Sequence, residues 1–254
     1  MIYFVGAGSG DKELITVKGM HILERADIIV YAGSLVNKEL LDYAPSSCQA
    51  YDSAYMTLEE VMETMLEGES MGKTVVRLHT GDPSLYGAIR EQIDILRDKN
   101  IAFEIIPGVS SFLAAASSLE AEYTLPGVSQ SLVITRLEGR CAVPKDESIS
   151  SFAKHNCSMA IFLSSSMTQR LREELLKGGY KKSTPVAIVY KASWQDEKKL
   201  LCTVDTLPEV ARKNGITKTA LILVGDFLSS SRDFYEKSRL YDKSFSTEFR
   251  KARE

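Results

Sequence analysis

The sequence predicts an α/β protein built from two α/β domains and a polar tail, with expected boundaries at residues 1–120, 121–228 and 229–254. Three observations carry this expectation. Short, continuous runs rich in β-branched residues at 2–5, 28–31, 74–78 and 103–106 read as strands covered on both faces, as in a parallel sheet. Helical periodicities lie between them. After Pro126 the alternation starts afresh, with strands expected at 132–135, 160–163, 186–190, 200–204 and 221–224.

Taken in order, the first run leads into Gly6-Ala7-Gly8-Ser9-Gly10-Asp11. The helix before the third run opens with Thr57 and Glu60 in a capping-box pattern and carries Leu58, Val61, Met62, Met65 and Leu66 as a core stripe. The third run ends in Thr80-Gly81-Asp82-Pro83, a turn expected to open a helix directly. There Gly81 allows close backbone approach, Pro83 fixes φ and removes a donor, and Asp82 supplies an acceptor. The fourth run ends in Pro107-Gly108-Val109-Ser110-Ser111 before a helix of small residues, for which Ser110 is a suitable N-cap.

In the second half a helix over 167–177 stops at Gly178-Gly179, and another begins at Thr206-Leu207-Pro208-Glu209 with a capping signature. The strands at 186–190 and 200–204 lack a helix-length connection, which predicts an antiparallel hairpin. From Ser229 the chain turns polar, and its large apolar groups are Phe234, Tyr235, Leu240, Tyr241, Phe245 and Phe249. That tail either docks through these groups or stays mobile.

Composition narrows the function. Hydrophobic residues at 44% and charged residues at 26% are ordinary globular usage, and a net charge of -3 argues against a surface built to grip nucleic acid. No apolar run approaches the roughly 20 residues of a membrane span, and Met1-Ile2-Tyr3-Phe4-Val5-Gly6 lacks the basic start of a secretory signal, so a cytoplasmic protein is expected. Cys48, Cys141, Cys157 and Cys202 form no Cys-x-x-Cys pair and read as reduced and mostly buried; no metal site is expected.

The glycine loop at 6–11 invites a dinucleotide reading that its spacing does not support. The third glycine comes one residue early, the second strand ends in Tyr31 rather than an acid, and no Gly-Lys-Ser or Gly-Lys-Thr phosphate loop is present. NAD and ATP are therefore disfavoured. Each glycine turn alone is also an ordinary strand connection. Three of them at the carboxyl ends of early strands would line one crevice.

In chain order, 5–11, 80–87, 107–116, Leu132-Val133-Ile134-Thr135-Arg136 with Gly139-Arg140, and Thr184 through Ser193 resemble the tetrapyrrole methylase family over nearly the whole chain. The resemblance implies a homodimer of two-domain chains that binds S-adenosylmethionine between its domains, methylates a small-molecule tetrapyrrole and releases S-adenosylhomocysteine. It implies cofactor contacts at Thr80, Gly81, Asp82, Leu85, Ser110 and Ser111, and at Phe162, Leu163, Ala192, Thr219 and Ala220. Ser9 stands where relatives usually carry proline, which predicts a looser loop.

A macrocycle ringed by carboxylates needs cations, and Arg77, Arg90, Arg136, Arg140 and Lys191 are the candidates. Asp52, in Tyr51-Asp52-Ser53-Ala54-Tyr55, is the candidate for proton handling above the macrocycle. Another tetrapyrrole carbon, ribosomal RNA or a protein as methyl acceptor, or a non-catalytic ligand sensor of the same α/β class, are the competing readings.

Overall fold

In the computed structural model, which describes residues 1–229, 235–238 and 241–252, the chain divides into two compact units. Met1–Ser118 and Lys191–Lys198 form the first; Leu119–Tyr190 and Lys199–Glu254 form the second. The Lys191–Lys198 segment thus belongs with residues far earlier in the chain, a discontinuity that a boundary at residue 120 does not include.

The first unit holds a five-stranded parallel sheet in the order β3-β2-β4-β1-β5, formed by β1 (Ile2–Gly6), β2 (Ile28–Tyr31), β3 (Gln49–Asp52), β4 (Val75–His79) and β5 (Phe103–Ile106). Strand β3 has no apolar run because it is an exposed edge, with only Asp52 partly covered, and its signal is absent from the sequence for that reason. The helix α1 (Val17–Leu23) packs Ile22 and Leu23 with Val5, Ile29, Val76 and Leu78. On the opposite face α2 (Leu58–Ser70) packs Val61, Met62 and Met65, and α3 (Arg90–Asp98) packs Ile93 and Leu96, with Ile2, Phe4, Val30 and Val75. The methionine stripe is core, and the Thr57–Glu60 capping box is present in both directions.

Strand β1 therefore leaves the sheet toward one layer while its neighbour β4 leaves toward the other. This makes the β1/β4 pair the topological switch point, where open α/β sheets leave a crevice at their carboxyl ends.

The second unit carries a mixed sheet, β6-β7-β10-β8-β9, comprising β6 (Leu132–Arg136), β7 (Ser158–Phe162), β8 (Pro185–Tyr190), β9 (Lys198–Thr203) and β10 (Ala220–Val224). Strand β6 runs parallel to β7, and β10 runs antiparallel to both β7 and β8. The Val204 N–H donates to the Thr184 carbonyl at 3.0 Å, joining the end of β9 to the start of β8 as the expected hairpin requires. Helices α5 (Ile149–Ala153), α6 (Thr168–Gly178) and α7 (Leu207–Lys213) pack Ile149, Leu171, Leu175, Leu207 and Ala211 into this unit's core. Gly179 ends α6 with φ of 114°, as Gly178-Gly179 foretold.

Three local expectations are corrected. Thr206 caps nothing with its side chain: its hydroxyl instead accepts the Thr203 N–H at 3.0 Å, and the missing N–H of Pro208 leaves one donor fewer to satisfy. The chain does not enter a helix at Pro83; a turn with positive φ at Tyr86 (55°) and Ala88 (49°) delays α3 to Arg90. The cysteines are all free, but only Cys157 is buried and Cys141 is exposed, in the loop after β6. In the tail, the Glu236 N–H donates to the Pro126 carbonyl at 3.0 Å, while Tyr241 and Phe249 are exposed; Phe234 and Leu240 lie outside the described residues.

Candidate functional site

The carboxyl ends of β4, β1 and β5 meet through bare backbone. A Cβ on Gly6 would lie 2.6 Å from the Gly108 Cα and 2.7 Å from the Gly81 carbonyl oxygen, and one on Gly108 would lie 2.2 Å from that same oxygen. Real Cβ atoms do not approach so closely, so the three turns can converge only with no side chain at Gly6 and Gly108. The Gly8 and Gly81 backbones exchange hydrogen bonds at 3.3 and 2.8 Å, and Gly81 takes φ of 60° to do so.

Asp82 fastens this arrangement. One carboxylate oxygen accepts the Ser84 N–H at 2.8 Å and the Ser84 hydroxyl; the other accepts the Gly108 N–H at 2.8 Å. Partial burial opposes its charge, but these donors prevail and hold the carboxyl below its usual range. The Thr80 hydroxyl donates to the Leu35 carbonyl at 2.9 Å, tying in a 3₁₀ turn at Gly33–Leu35. Ser110 is buried beside Gly81, and Ser111 opens α4 (Ser111–Ser118). Leu85 closes the Asp82 turn with its N–H. All six residues expected in the first unit thus lie on or beside the converging turns.

Four of the remaining five lie at one end of two neighbouring interior strands of the second sheet, where β7 ends and β10 begins. Ala220 pairs with Tyr190 at the start of β10, and Leu163 directly follows the end of β7, the neighbouring strand. Phe162 pairs with Arg136 at the end of β6. Leu163 and Thr219 both take left-handed φ, 52° and 56°, a strained conformation for non-glycine residues that persists where surroundings over-determine it. Ser164, fully buried, accepts the Leu137 N–H and donates to the Phe162 carbonyl, fixing the turn that follows β7. Ala192, the fifth, is buried within the Lys191–Lys198 segment of the first unit.

The cations divide differently. Arg77 is only 8% exposed, inside β4, where it donates to the Val30 carbonyl at 3.0 Å and leaves its Nε without a partner. Burial lowers its pKa to about 10. It is a sheet-interior residue and not a rim contact, which corrects the expectation. Beside it His79 is buried, stacked on Phe4 and held neutral by burial, with Arg77 contributing, at a pKa of about 3. Arg90 is exposed and paired with Asp94 one helical turn on. Arg136 donates to the carbonyls of Cys141 and Ala142 at 3.2 and 3.1 Å, organising the loop that carries exposed Arg140. Lys191 pairs with Asp196 at 2.6 Å, over the Trp194 ring. Asp52 accepts the Ala54 N–H at 2.9 Å in a turn at the carboxyl end of β3.

Sequence reasoning missed what holds the glycine loop. The Ser9 hydroxyl bonds that of Ser193 at 2.8 Å, and the Trp194 indole N–H donates to the Ser9 carbonyl at 3.0 Å. Ser9 is therefore a fastened position, against the expectation of a looser loop. This segment and the loop border a cleft of about 600 Å³, together with Asn37 and Glu39. The only hint was the chain's single tryptophan directly after Ser193. Among the described residues, no cluster of three or more His, Cys, Asp or Glu could hold a metal ion, and no helix is long and apolar enough to cross a membrane.

A doubly wound parallel sheet with glycine turns touching at its switch point, in one chain with a mixed second sheet, defines a two-unit α/β protein with the backbone of a ligand crevice and no dinucleotide fingerprint. The chain belongs to the Tetrapyrrole (Corrin/Porphyrin) Methylases, whose family model matches residues 1–208. It is 53% identical over 251 residues to the cobalt-precorrin-4 C(11)-methyltransferase of Methanocaldococcus jannaschii, covering 99% of this chain and 96% of the relative. Among solved structures it resembles a cobalamin biosynthetic enzyme, cobalt precorrin-4 methyltransferase, with a TM-score of 0.88, 46% identity, and coverage of 90% and 95%. The uroporphyrin-III C-methyltransferase of Thermus thermophilus in complex with S-adenosylhomocysteine matches with a TM-score of 0.76, 25% identity, and coverage of 89% and 98%.

Proposed function

We propose that this chain is an S-adenosylmethionine-dependent methyltransferase that methylates carbon 11 of cobalt-precorrin-4 in cobalamin biosynthesis, releasing S-adenosylhomocysteine. The observation that carries the reading is the backbone contact of Gly6, Gly81 and Gly108 at the switch point, in a chain 53% identical to a cobalt-precorrin-4 C(11)-methyltransferase. The residues there fit the cofactor. Thr80, Gly81, Asp82, Leu85, Ser110 and Ser111 offer hydroxyls, backbone and one carboxylate without a cation, which suits a hydroxylated nucleoside bearing a positive sulfonium better than a polyphosphate. The proposal also assigns Phe162, Leu163, Ala192, Thr219 and Ala220 to the cofactor. The support for the first two and the last two is their placement where β7 ends and β10 begins, and for Ala192 its place in the segment beside the glycine loop.

When bound, the cofactor supplies a methyl group activated by the sulfonium. The chain's part is orientation and exclusion of water, which for well-placed reactants is worth about 7–11 kcal/mol. Asp82 holds the turns in register and contributes negative charge beside them. Arg136, Arg140, Lys191 and Arg90 are assigned to the carboxylates of the macrocycle, with Arg136 the best organised of them. Asp52 is assigned to accept a proton from the substrate; one of its oxygens is engaged by the Ala54 N–H. The proposal includes a cytoplasmic homodimer, checked by the mass of the protein in solution.

Incubation with S-adenosylmethionine and cobalt-precorrin-4, beside metal-free precorrin-4, tests the activity. One added methyl at carbon 11, located by mass spectrometry and NMR, is the expected result. Cofactor binding with no turnover of either tetrapyrrole favours the sensor reading, and methyl incorporation into RNA or protein instead overturns the substrate.

A further inference from the structure

We propose that Ser193 and Trp194 are positioning residues for the cofactor turns, acting through the glycine loop; this rests on the function proposed above. The connection between β8 and β9 lies on that loop. The Ser193 hydroxyl bonds the Ser9 hydroxyl and accepts the Asp11 N–H at 3.1 Å, while the Trp194 indole donates to the Ser9 carbonyl. The indole rests where a side chain on Gly10 would be: a Cβ there would lie 2.1 Å from the indole Cδ1. One residue before Ser9, Gly8 exchanges its two backbone hydrogen bonds with Gly81. A continuous set of bonds thus leads from Trp194 and Ser193 through Ser9 and Gly8 to Gly81, and from there through Asp82 to Gly108.

The connection is itself over-determined. Lys191 and Ser193 take φ of 48° and 68°, and a strained backbone of this kind persists only when its neighbours hold it. Glu197 does so, accepting the Ser193 N–H at 2.7 Å and the Ser118 hydroxyl. Ser118 ends α4, the helix whose first residue is Ser111. The connection is therefore bonded to the loop before one cofactor turn and to the helix after another. Trp194 remains partly exposed on the cleft wall.

The test compares the full chain with Ser193→Ala, Ser9→Ala, their double variant, and Trp194→Phe, which keeps an aromatic ring but removes the N–H. Calorimetry measures S-adenosylhomocysteine binding, and steady-state rates on the tetrapyrrole separate KM for S-adenosylmethionine from kcat. Each single variant is expected to raise the dissociation constant and KM about three- to tenfold, the size of the one hydrogen bond lost in Ser9→Ala and Trp194→Phe, with Ser193→Ala, which loses two, at the upper end, and with kcat at saturating cofactor within about twofold. The double variant should bind no worse than the weaker single, because one bond is lost once. Variants that melt earlier but bind within twofold of the parent overturn the inference, as does a fall in kcat with KM unchanged. A parent chain that binds no S-adenosylhomocysteine overturns the underlying function and this inference with it; a parent that binds while the variants match it overturns this inference alone.

Discussion

Replacing Asp82 by alanine removes the acceptor of two backbone N–H groups, those of Ser84 and Gly108, at 2.8 Å each. Hydrogen bonds to an ionised group are worth about 1.5–3 kcal/mol each, but Asp82 is partly exposed and water replaces some of what is lost. The two together then come to about 2–3 kcal/mol. At about 2–4 °C per kcal/mol for chains of this size, Tm should fall by about 5–10 °C, leaving a folded protein. Affinity for S-adenosylhomocysteine should fall at least about tenfold, because the Gly81 and Gly108 turns lose their common tie. The pH dependence has a defined sign. A carboxyl whose folded pKa is depressed stabilises the fold above its unfolded value near 3.8 and loses that contribution as pH drops through the folded one. The Tm gap between parent and variant should therefore hold from neutral pH to about 4 and close below it. Thermal melts and calorimetry on both proteins measure these outcomes. An unchanged Tm refutes the energetic argument, and a lowered Tm with cofactor affinity intact refutes the assignment of these turns to the cofactor.

His79 gives proton linkage of the same sign at higher pH: its folded pKa of about 3 lies below the unfolded 6.5, so the unfolded chain takes up a proton that the folded one refuses. Stability should fall by about 2 kcal/mol from pH 6.5 to 5, and His79→Phe, which keeps a ring against Phe4, should flatten that decline; an identical pH slope in the variant refutes it. Arg136→Lys cannot reproduce the guanidinium's two contacts to the Cys141 and Ala142 carbonyls. It should raise KM for the tetrapyrrole about tenfold with cofactor affinity within about twofold, and steady-state kinetics with unchanged KM would remove Arg136 from the substrate assignment.

Strands buried on both faces declared themselves in the sequence as short continuous apolar runs rich in β-branched residues. β2 and the core of β8 and β10 were legible on that ground. Edge strand β3 escaped because Gln49, Ala50 and Tyr51 face solvent and carry no periodicity. The loop at 83–89 was read as helix because Pro83 suits a first helical turn, whereas the Asp82–Ser84 bonds and the left-handed Tyr86 and Ala88 divert the chain. Capping at Thr57 was legible because its partner Glu60 is three residues away; Thr206 failed because Thr203, just outside the helix, competes for its hydroxyl.

The glycine turns and the charged residues differ in what the sequence can say of them. A glycine at a strand's end already signals close approach, and the parallel order of β4, β1 and β5 then brings Gly81, Gly6 and Gly108 together with no further information. A charge has no such local constraint, yet two arginines did carry signals. Arg77 lies within the same run of buried residues that identified β4, and a lone arginine in a central strand must turn its guanidinium to a neighbouring backbone, here Val30. Arg90 has Asp94 four residues on, the spacing of a helical ion pair, which engages it before any substrate arrives. Trp194 carried only its rarity as the chain's single tryptophan and nothing that named its partner, since Ser9 is 185 residues away and the contact exists only once the β8–β9 connection has joined the first unit. Local chemistry thus located the floor of the site, and long-range folding alone determined what braces it.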